Sequence, residues 1–130
     1  MAGHLKELRV TMADRPGSLA KVAEALGKAG VNIEAISAAT AGGSGDIRIL
    51  VADTAAARKA LEGAGVTVAE EREMTFVDLE DKPGSLAGTA RKLADQNINI
   101  DAVYVVGGTG GKKQLAIGTT DAAKARGAVR

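Results

Sequence analysis

The chain has 130 residues, of which 45% are apolar and 2% aromatic, and its formal net charge is +1 at pH 7. This length suits one domain or two very small ones. The sequence contains no block of basic residues of the kind that binds nucleic-acid phosphates. Without cysteine, disulfides, thiolate catalysis and Cys-based metal sites are excluded. Because no signal-peptide pattern or long apolar run occurs, we expect a soluble, cytoplasmic protein with no membrane partner.

In chain order, the first elements follow a simple pattern. Leu8, Val10 and Met12 alternate with polar residues, which predicts a half-buried strand. Leu19, Val22, Ala23 and Leu26 then follow at helical spacing, and Gly30 is expected to end that helix. The remaining predicted elements of this half are strands at 31–39 and 47–51, a turn at 41–45, a helix at 55–64 and a short strand at 66–70.

The second half of the chain repeats the first. The stretch DRPGSLAKVAEALGKAGVNI, residues 14–33, returns as DKPGSLAGTARKLADQNINI, residues 81–100, at an offset of 67 residues. Such a repeat predicts two copies of one module, which we place at 1–71 and 72–130. The elements expected in the second copy are strands at 73–79, 98–106 and 114–118, helices at 84–96 and 121–128, and a turn at 107–111.

The order strand–helix–strand–strand–helix–strand predicts an α+β fold, with a ferredoxin-like antiparallel sheet and both helices on one face in each copy. The counterpart of Val66 would be residue 133, so the second copy is expected to lack its own last strand. Residues 70–72 are predicted to turn between the copies. Either the strand at 66–70 fills the vacant edge of the second sheet, or a partner chain covers it.

The repeated Asp-x-Pro-Gly-Ser-Leu opening has an explanation in shape alone. Proline is favoured in the first turn of a helix, Asp14 is an accepted N-cap residue, and Gly17 permits a sharp turn. On this interpretation the opening needs no ligand.

The same opening also has the chemistry of a binding site. The N–H groups of Gly17, Ser18 and Leu19 lie at a helix start and favour a small anion such as a carboxylate. Asp14 is suited to an ammonium group, and the amide of Asn32 is expected to come near the opening. These groups match the requirements of a free α-amino acid, with micromolar to millimolar affinity.

These residues resemble the signature of the ACT domain, an Asp/Asn-x-Pro-Gly-x-Leu opening followed by an amphipathic helix and Gly-Val-Asn-Ile. The second copy is similar, with Asn-Ile-Asn-Ile at its end. The resemblance implies small regulatory modules that bind amino acids, commonly where two modules meet. Carried over by position, the implied ligand contacts are Asp14, Gly17, Ser18, Leu19 and Asn32 in the first copy and Asp81, Gly84, Ser85, Leu86 and Asn99 in the second.

The function expected from the sequence is therefore that of a non-catalytic regulatory protein, which binds a small amino acid and signals occupancy through subunit packing. The alternative is a regulatory or scaffolding subunit of a separate amino-acid metabolic enzyme that needs no ligand. A homodimer or higher oligomer is expected, because a small Ala-rich core gains burial by pairing.

Other motifs point to no further chemistry, and no cofactor or metal is expected. GGTGGKK, residues 107–113, lacks the Ser/Thr of a P-loop and is followed by a strand, so a hairpin loop is predicted. His4 has no second histidine with which to share a metal. The two aromatic residues, without a basic face, do not support an RNA-binding sheet.

Overall fold

A computed structural model describes residues 4–129 of the chain; residues 1–3 and 130, the outer ends of the two predicted domains, lie outside it. The chain divides into two compact units, His4–Arg72 and the residues from Glu73 onward. Each unit is an antiparallel sheet with two helices, so the predicted α+β class is confirmed.

The first unit is a complete ferredoxin-like module with a four-stranded sheet in the order β2-β3-β1-β4. The two neighbours of β3 are both antiparallel to it, so β1 and β2 run in the same direction. Its elements are β1 (Lys6–Ala13), α1 (Ser18–Lys28), β2 (Ala35–Ala41), β3 (Ser44–Val51), α2 (Thr54–Gly63) and β4 (Val68–Glu73).

The core of the first unit lies between one face of the sheet and the two helices. Leu8 and Val10 of β1 are almost fully buried and pack with Val22 and Leu26 of α1. Each such side chain contributes about 1.5–3 kcal/mol by leaving water. Leu19, which the helical spacing placed on the same apolar face, is instead 45% exposed.

The second unit repeats this order without the last strand, and its sheet is three-stranded in the order β5-β7-β6. Strand β4 belongs to the first sheet, which decides against the alternative that it fills the edge of the second. The elements of the second unit are β5 (Thr75–Glu80), α3 (Ser85–Asp95), β6 (Ile100–Gly107), β7 (Lys112–Thr119) and α4 (Ala122–Ala128).

The predicted turn at residues 70–72 is wrong. These residues belong to β4, and Met74 alone separates β4 from β5. Arg72 stays in the sheet because its guanidinium Nε donates to Glu7 Oε1 of β1 at 2.7 Å, which ties the end of β4 to the first unit. The three charged residues mark a sheet edge, where charges keep a strand solvated.

Both first helices of the units end in the same way. The N–H of Val31 donates to the carbonyl of Leu26 at 2.9 Å around Gly30, whose φ of 72° is left-handed. Asn97, with φ of 59°, takes the place of that glycine in the second unit, and Ile98 N–H donates to Leu93 O at 2.9 Å. Asparagine is the residue that best replaces glycine at such a helix end. Strands β2 and β6 therefore begin a few residues later than predicted.

No helix within residues 4–129 has the length and apolarity that crossing a lipid bilayer requires.

Candidate functional site

The Pro-Gly of each opening forms a reverse turn before the helix rather than the first turn of the helix. Gly17 has φ 91° and ψ −13°, and Ser18 N–H donates to Arg15 O at 3.3 Å. Proline followed by a glycine with positive φ is the sequence pattern of a type II turn. The prediction that Pro16 lies in the helix is therefore wrong, because the helix begins only at Ser18.

Asp14 does not cap the helix, contrary to the prediction. The N-cap position is Gly17, and no side chain caps it. The backbone N–H of Asp14 donates instead to Gly43 O at 3.0 Å, so the opening is held against the turn between β2 and β3. The carboxylate of Asp14 is exposed and makes no ion pair among the described residues.

The free donors at the helix start of the first unit differ from the predicted set at Ser18 and Ala20. The N–H of Ser18 is accepted by Arg15 O in the turn, and the Ser18 hydroxyl donates to Ala13 O at 2.7 Å. The N–H groups of Leu19 and Ala20 have no acceptor within residues 4–129. Since α1 has 11 residues, these two amides lie at the positive end of its dipole. Ala20 was not among the predicted contacts, although its place in the first turn of the helix was the available signal.

The opening of the second unit has the same backbone geometry. Gly84 has φ 89° and ψ −13°, and Ser85 N–H donates to Lys82 O at 3.4 Å. Asp81 N–H donates to Gly111 O at 2.8 Å, which again ties the opening to the adjacent hairpin. Leu86, like Leu19, is 45% exposed at the helix start.

The two openings differ in charge. Asp81 Oδ1 lies 3.2 Å from Lys113 Nζ, and both side chains are about half exposed. Asp14 has no such cation, because Gly45 and Asp46 stand near that position of β3. The pair in the second unit is between residues on separate elements, and nothing in the local sequence predicts it.

Asn32 lies at the opposite end of the sheet from the opening of its own unit. It precedes β2, whose first residue, Ala35, pairs with Leu50, whereas Ala13 beside the opening pairs with Ser44. Six residues of strand separate these pairs, or about 20 Å. The amide of Asn32 donates to Glu34 Oε1 at 2.9 Å.

The same topology places Asn99 before β6 and Asp81 after β5, at opposite ends of the second sheet. The expectation that the amide comes near the opening within one module is therefore wrong. The helix returns the chain to the far end of the sheet before the next parallel strand begins. The spacing between Asp and Asn in the motif does not show that the chain reverses direction between them.

A chain of ion pairs covers the face of the first sheet that lies opposite the helices. Glu7, only 1% exposed in its side chain, lies 2.7 Å from Arg72 Nε and 3.9 Å from Arg48 Nη1. Asp46 accepts from Arg9 Nε at 2.7 Å and from Arg48 Nε at 3.2 Å. Every charged group in this cluster has an opposite partner, so its geometry is that of a structural network.

Two pKa values reflect this network. Burial raises the pKa of Asp46, but the hydrogen bonds from Arg9 and Arg48 and their positive charges outweigh it, so the pKa is lowered overall. The hydrogen bond to Asp46 and its negative charge raise the pKa of Arg9. Both shifts hold the charged forms in place.

No cluster of three or more His, Cys, Asp or Glu side chains within residues 4–129 has the geometry to hold a metal ion.

Comparison with known protein families finds a match in the first unit. Residues 6–62 match the family model of the ACT domain. A comparison with curated protein sequences found no match.

Solved structures of similar fold extend over both units. A protein from Bacteroides thetaiotaomicron aligns with a TM-score of 0.85 at 22% identity, over 99% of this chain and 89% of that one. The ligand-free regulatory subunit of aspartate kinase from Thermus thermophilus aligns with a TM-score of 0.71 at 21% identity, over 98% and 91% of the two chains. Aspartate kinase from Clostridium acetobutylicum aligns with a TM-score of 0.65 at 16% identity, over 96% of this chain and 31% of that one.

These structural alignments show a shared fold and, at such low identity, nothing beyond it. The first unit is an α+β module that carries the match to the ACT-domain family model, over residues 6–62. The second unit repeats the element order and the opening of the first, consistent with a tandem pair of ACT modules.

Proposed function

We propose that this chain is a non-catalytic regulatory protein that binds a small amino acid at its Asp-x-Pro-Gly-Ser-Leu openings. The observation that carries the proposal is the ACT match over residues 6–62, which includes the first opening and Asn32. A regulatory subunit of aspartate kinase has a similar fold. We therefore propose a separate enzyme of amino-acid metabolism as the class of partner to test.

In the first unit, the ligand carboxylate binds the free N–H groups of Leu19 and Ala20. Its ammonium group binds the unpaired carboxylate of Asp14, and the exposed Leu19 side chain covers its apolar part. Gly17 supplies the left-handed turn that presents the amides, while Ser18 fixes the turn through its hydroxyl. Charge-assisted hydrogen bonds of about 1.5–3 kcal/mol each, less the cost of immobilising the ligand, give micromolar to millimolar affinity.

The second opening, with Asp81, Gly84, Ser85, Leu86 and Asn99, has the same backbone form. Its carboxylate already pairs with Lys113. A ligand ammonium must compete with that lysine, so we propose weaker binding there than at the first opening.

Asn32 contributes to an opening of another module, since about 20 Å separate it from the opening of its own unit. A complete site then forms only where two modules meet, and ligand occupancy is linked to module packing. This linkage is how we propose that the protein signals.

Isothermal titration calorimetry of the full chain with the common L-amino acids tests the proposal. We expect one or a few of them to bind, and Asp14→Asn to weaken binding by about tenfold or more, equivalent to about 1.4 kcal/mol. Glu62→Gln, an exposed carboxylate on α2 without an ion pair among the described residues, is the matched control. If no amino acid binds and an enzyme co-purifies with the chain, the ligand-independent scaffold replaces this proposal.

A mixing experiment tests where Asn32 acts. Asp14→Asn and Asn32→Ala chains should each bind weakly. If the site joins two copies in a symmetric dimer, an equimolar mixture regains about a quarter of the wild-type sites. If binding is not regained, the site joins two modules of one chain or does not use Asn32. Solution mass with and without ligand shows whether occupancy changes assembly.

A further inference from the structure

The second unit contains a small polar cavity on the face of its sheet, separate from the amides of its helix start. The cavity has a volume of about 240 Å³. That volume lies just below the range typical of drug-sized ligands, so it suits a small metabolite. The residues that line it are Asp78, Gly108, Thr109, Lys112, Lys113 and Gln114.

Strand pairing places the polar groups of this cavity together. Asp78 of β5 pairs with Gln114 of β7, so both side chains lie on one face of the sheet. Lys112 lies two residues before Gln114 and therefore shares that face. Among the described residues, the carboxylate, the ammonium and the amide of these three side chains have no ionic or hydrogen-bond partner.

The loop 108–111 forms the rim of the cavity and depends on glycine. A Cβ on Gly108 would collide with the Lys112 carbonyl oxygen and lie 2.9 Å from the Lys113 Cα. The φ of Gly108 is 150°, a backbone angle that favours glycine. Lys112 N–H donates to Thr109 O at 3.2 Å, which closes the loop. Gly108 thus lets the loop backbone lie directly on β7, beside the unpaired side chains.

The equivalent position of the first unit is already occupied. The pair Thr11 and Asp46 of the first unit corresponds to the pair Asp78 and Gln114 of the second. The carboxylate of Asp46 accepts hydrogen bonds from Arg9 and Arg48. Thr11 and Asp78 are 67 residues apart, whereas Asp46 and Gln114 are 68 apart. The second hairpin has therefore gained a residue where the cavity opens.

We propose that this cavity binds a free α-amino acid, with Asp78 accepting from the ammonium group, Lys112 pairing with the carboxylate, and Gln114 or Thr109 contacting the side chain. Groups of both signs at one rim fit a zwitterion better than a simple anion. The cavity uses none of the ligand contacts assigned to the two openings, although Lys113 of its lining pairs with Asp81 of the second opening.

Nuclear magnetic resonance titration of the full, isotope-labelled chain tests the inference. With the common L-amino acids at up to about 10 mM, we expect at least one to shift the amide signals of Gly108, Thr109 and Gln114. Asp78→Asn and Lys112→Gln should each weaken that response by about tenfold, or about 1.4 kcal/mol. Lys92→Gln, on the exposed side of α3, should leave it unchanged.

Analogues separate a zwitterion site from a basic patch. The bound amino acid without its carboxylate, or without its ammonium group, should lose most of its affinity. If inorganic phosphate at equal ionic strength shifts the same signals in wild type and Asp78→Asn alike, the cavity is only an anion site and the inference is overturned.

The titration also distinguishes this inference from the proposed function. Shifts confined to Leu19, Ala20 and Asn32 would support the first opening and overturn the cavity. Shifts at residues 108–114 that Asp78→Asn abolishes and Asp81→Asn keeps would support the cavity, because Asp81 of the second opening contacts Gly111 and Lys113. Shifts that Asp81→Asn abolishes and Asp78→Asn keeps would belong to the second opening and would overturn the cavity. No shift at residues 108–114 with any amino acid overturns the inference.

Discussion

In the first unit, the opening between β1 and α1 meets a tight turn of two glycines, Gly42 and Gly43, whereas in the second it meets the longer loop 108–111. Both openings use the same left-handed glycine and the same backbone hydrogen bond to the hairpin. The duplicated motif therefore preserves a turn, and the hairpins beside it have diverged.

The sheet faces opposite the helices differ more strongly. In the first unit this face carries Glu7 and its arginine partners. In the second unit the cross-strand row at the middle of the sheet is Phe76, Ala116 and Tyr104, of which the last two are buried. One backbone plan thus supports an ionic row on this face in the first unit and an apolar row in the second, because alternate residues of a strand are independent of those facing the core.

The largest expected effect is on the ionic face. Glu7→Ala removes a side chain that is 1% exposed, together with the 2.7 Å hydrogen bond from Arg72 and the carboxylate that lies near Arg48. We expect the free energy of unfolding to fall by about 3 kcal/mol, because breaking a buried pair costs more than the pair contributes. Urea unfolding measures the loss, and hydrogen exchange should locate it in the first unit.

Glu24→Ala is the matched control, since Glu24 is exposed on α1 and forms no ion pair among residues 4–129. We expect it to change stability by less than about 0.5 kcal/mol. Should Glu7→Ala fail to fold, Glu7→Gln keeps the shape and a hydrogen bond and should show an intermediate loss. A loss below about 1 kcal/mol for Glu7→Ala would mean that this network is dispensable.

The next largest effect is a loss of stability at the turn before each first helix, and it should be equal in the two units. Gly17→Ala and Gly84→Ala each place a side chain at φ near 90°, where no neighbouring atom obstructs it. The cost is then purely conformational, about 1–2 kcal/mol each. Thermal unfolding of the two variants measures it, and a difference above about 1 kcal/mol would contradict the equivalence of the turns.

Gly27→Ala is a control for which we expect the opposite change, a gain in stability. Gly27 lies within α1, has open space around it and does not have a positive φ. Alanine there should stabilise the protein by about 0.5–1 kcal/mol.

The sequence was a good guide to everything that follows from local pattern. The repeat, the order of the elements and the buried Val22 and Leu26 all result from periodicity, which a sequence displays directly. The end of the first helix at Gly30, and at Asn97 in the second copy, follows from the preference for left-handed residues there.

What depends on pairing between distant segments was not predictable in the same way. The separation of Asn32 from Asp14 depends on strand direction, and the ion pair of Asp81 depends on Lys113 of a different strand. The cavity at Asp78 and Gln114 depends on the pairing register of β5 and β7. A single added residue changes which side chains face each other across two strands. Motif spacing contains none of this information.

A smaller effect concerns pH in the first unit. Because the pKa of Asp46 is lowered in the folded protein, its stabilising contribution is fully present above the unfolded pKa of about 3.9 and is lost as pH falls through the folded value. Asp46→Asn should therefore be less stable than wild type near pH 7, by up to about 1 kcal/mol. The difference should shrink towards pH 3, as thermal unfolding at several pH values would show. A constant difference across that range would rule out the ionic contribution.

The smallest expected effect separates the two openings. Lys113→Ala breaks the pair with Asp81, in which both side chains are about half exposed, so stability should change by less than about 0.5 kcal/mol. The variant also makes the second opening resemble the first, where Asp14 has no cation beside it. If Lys113 is what distinguishes the two sites, amino-acid binding at the second opening should strengthen in Lys113→Ala, as the signals of Leu86 and its neighbours would show, while binding at the first is unchanged. If the second opening then still binds more weakly than the first, the difference must arise from the longer hairpin rather than from charge.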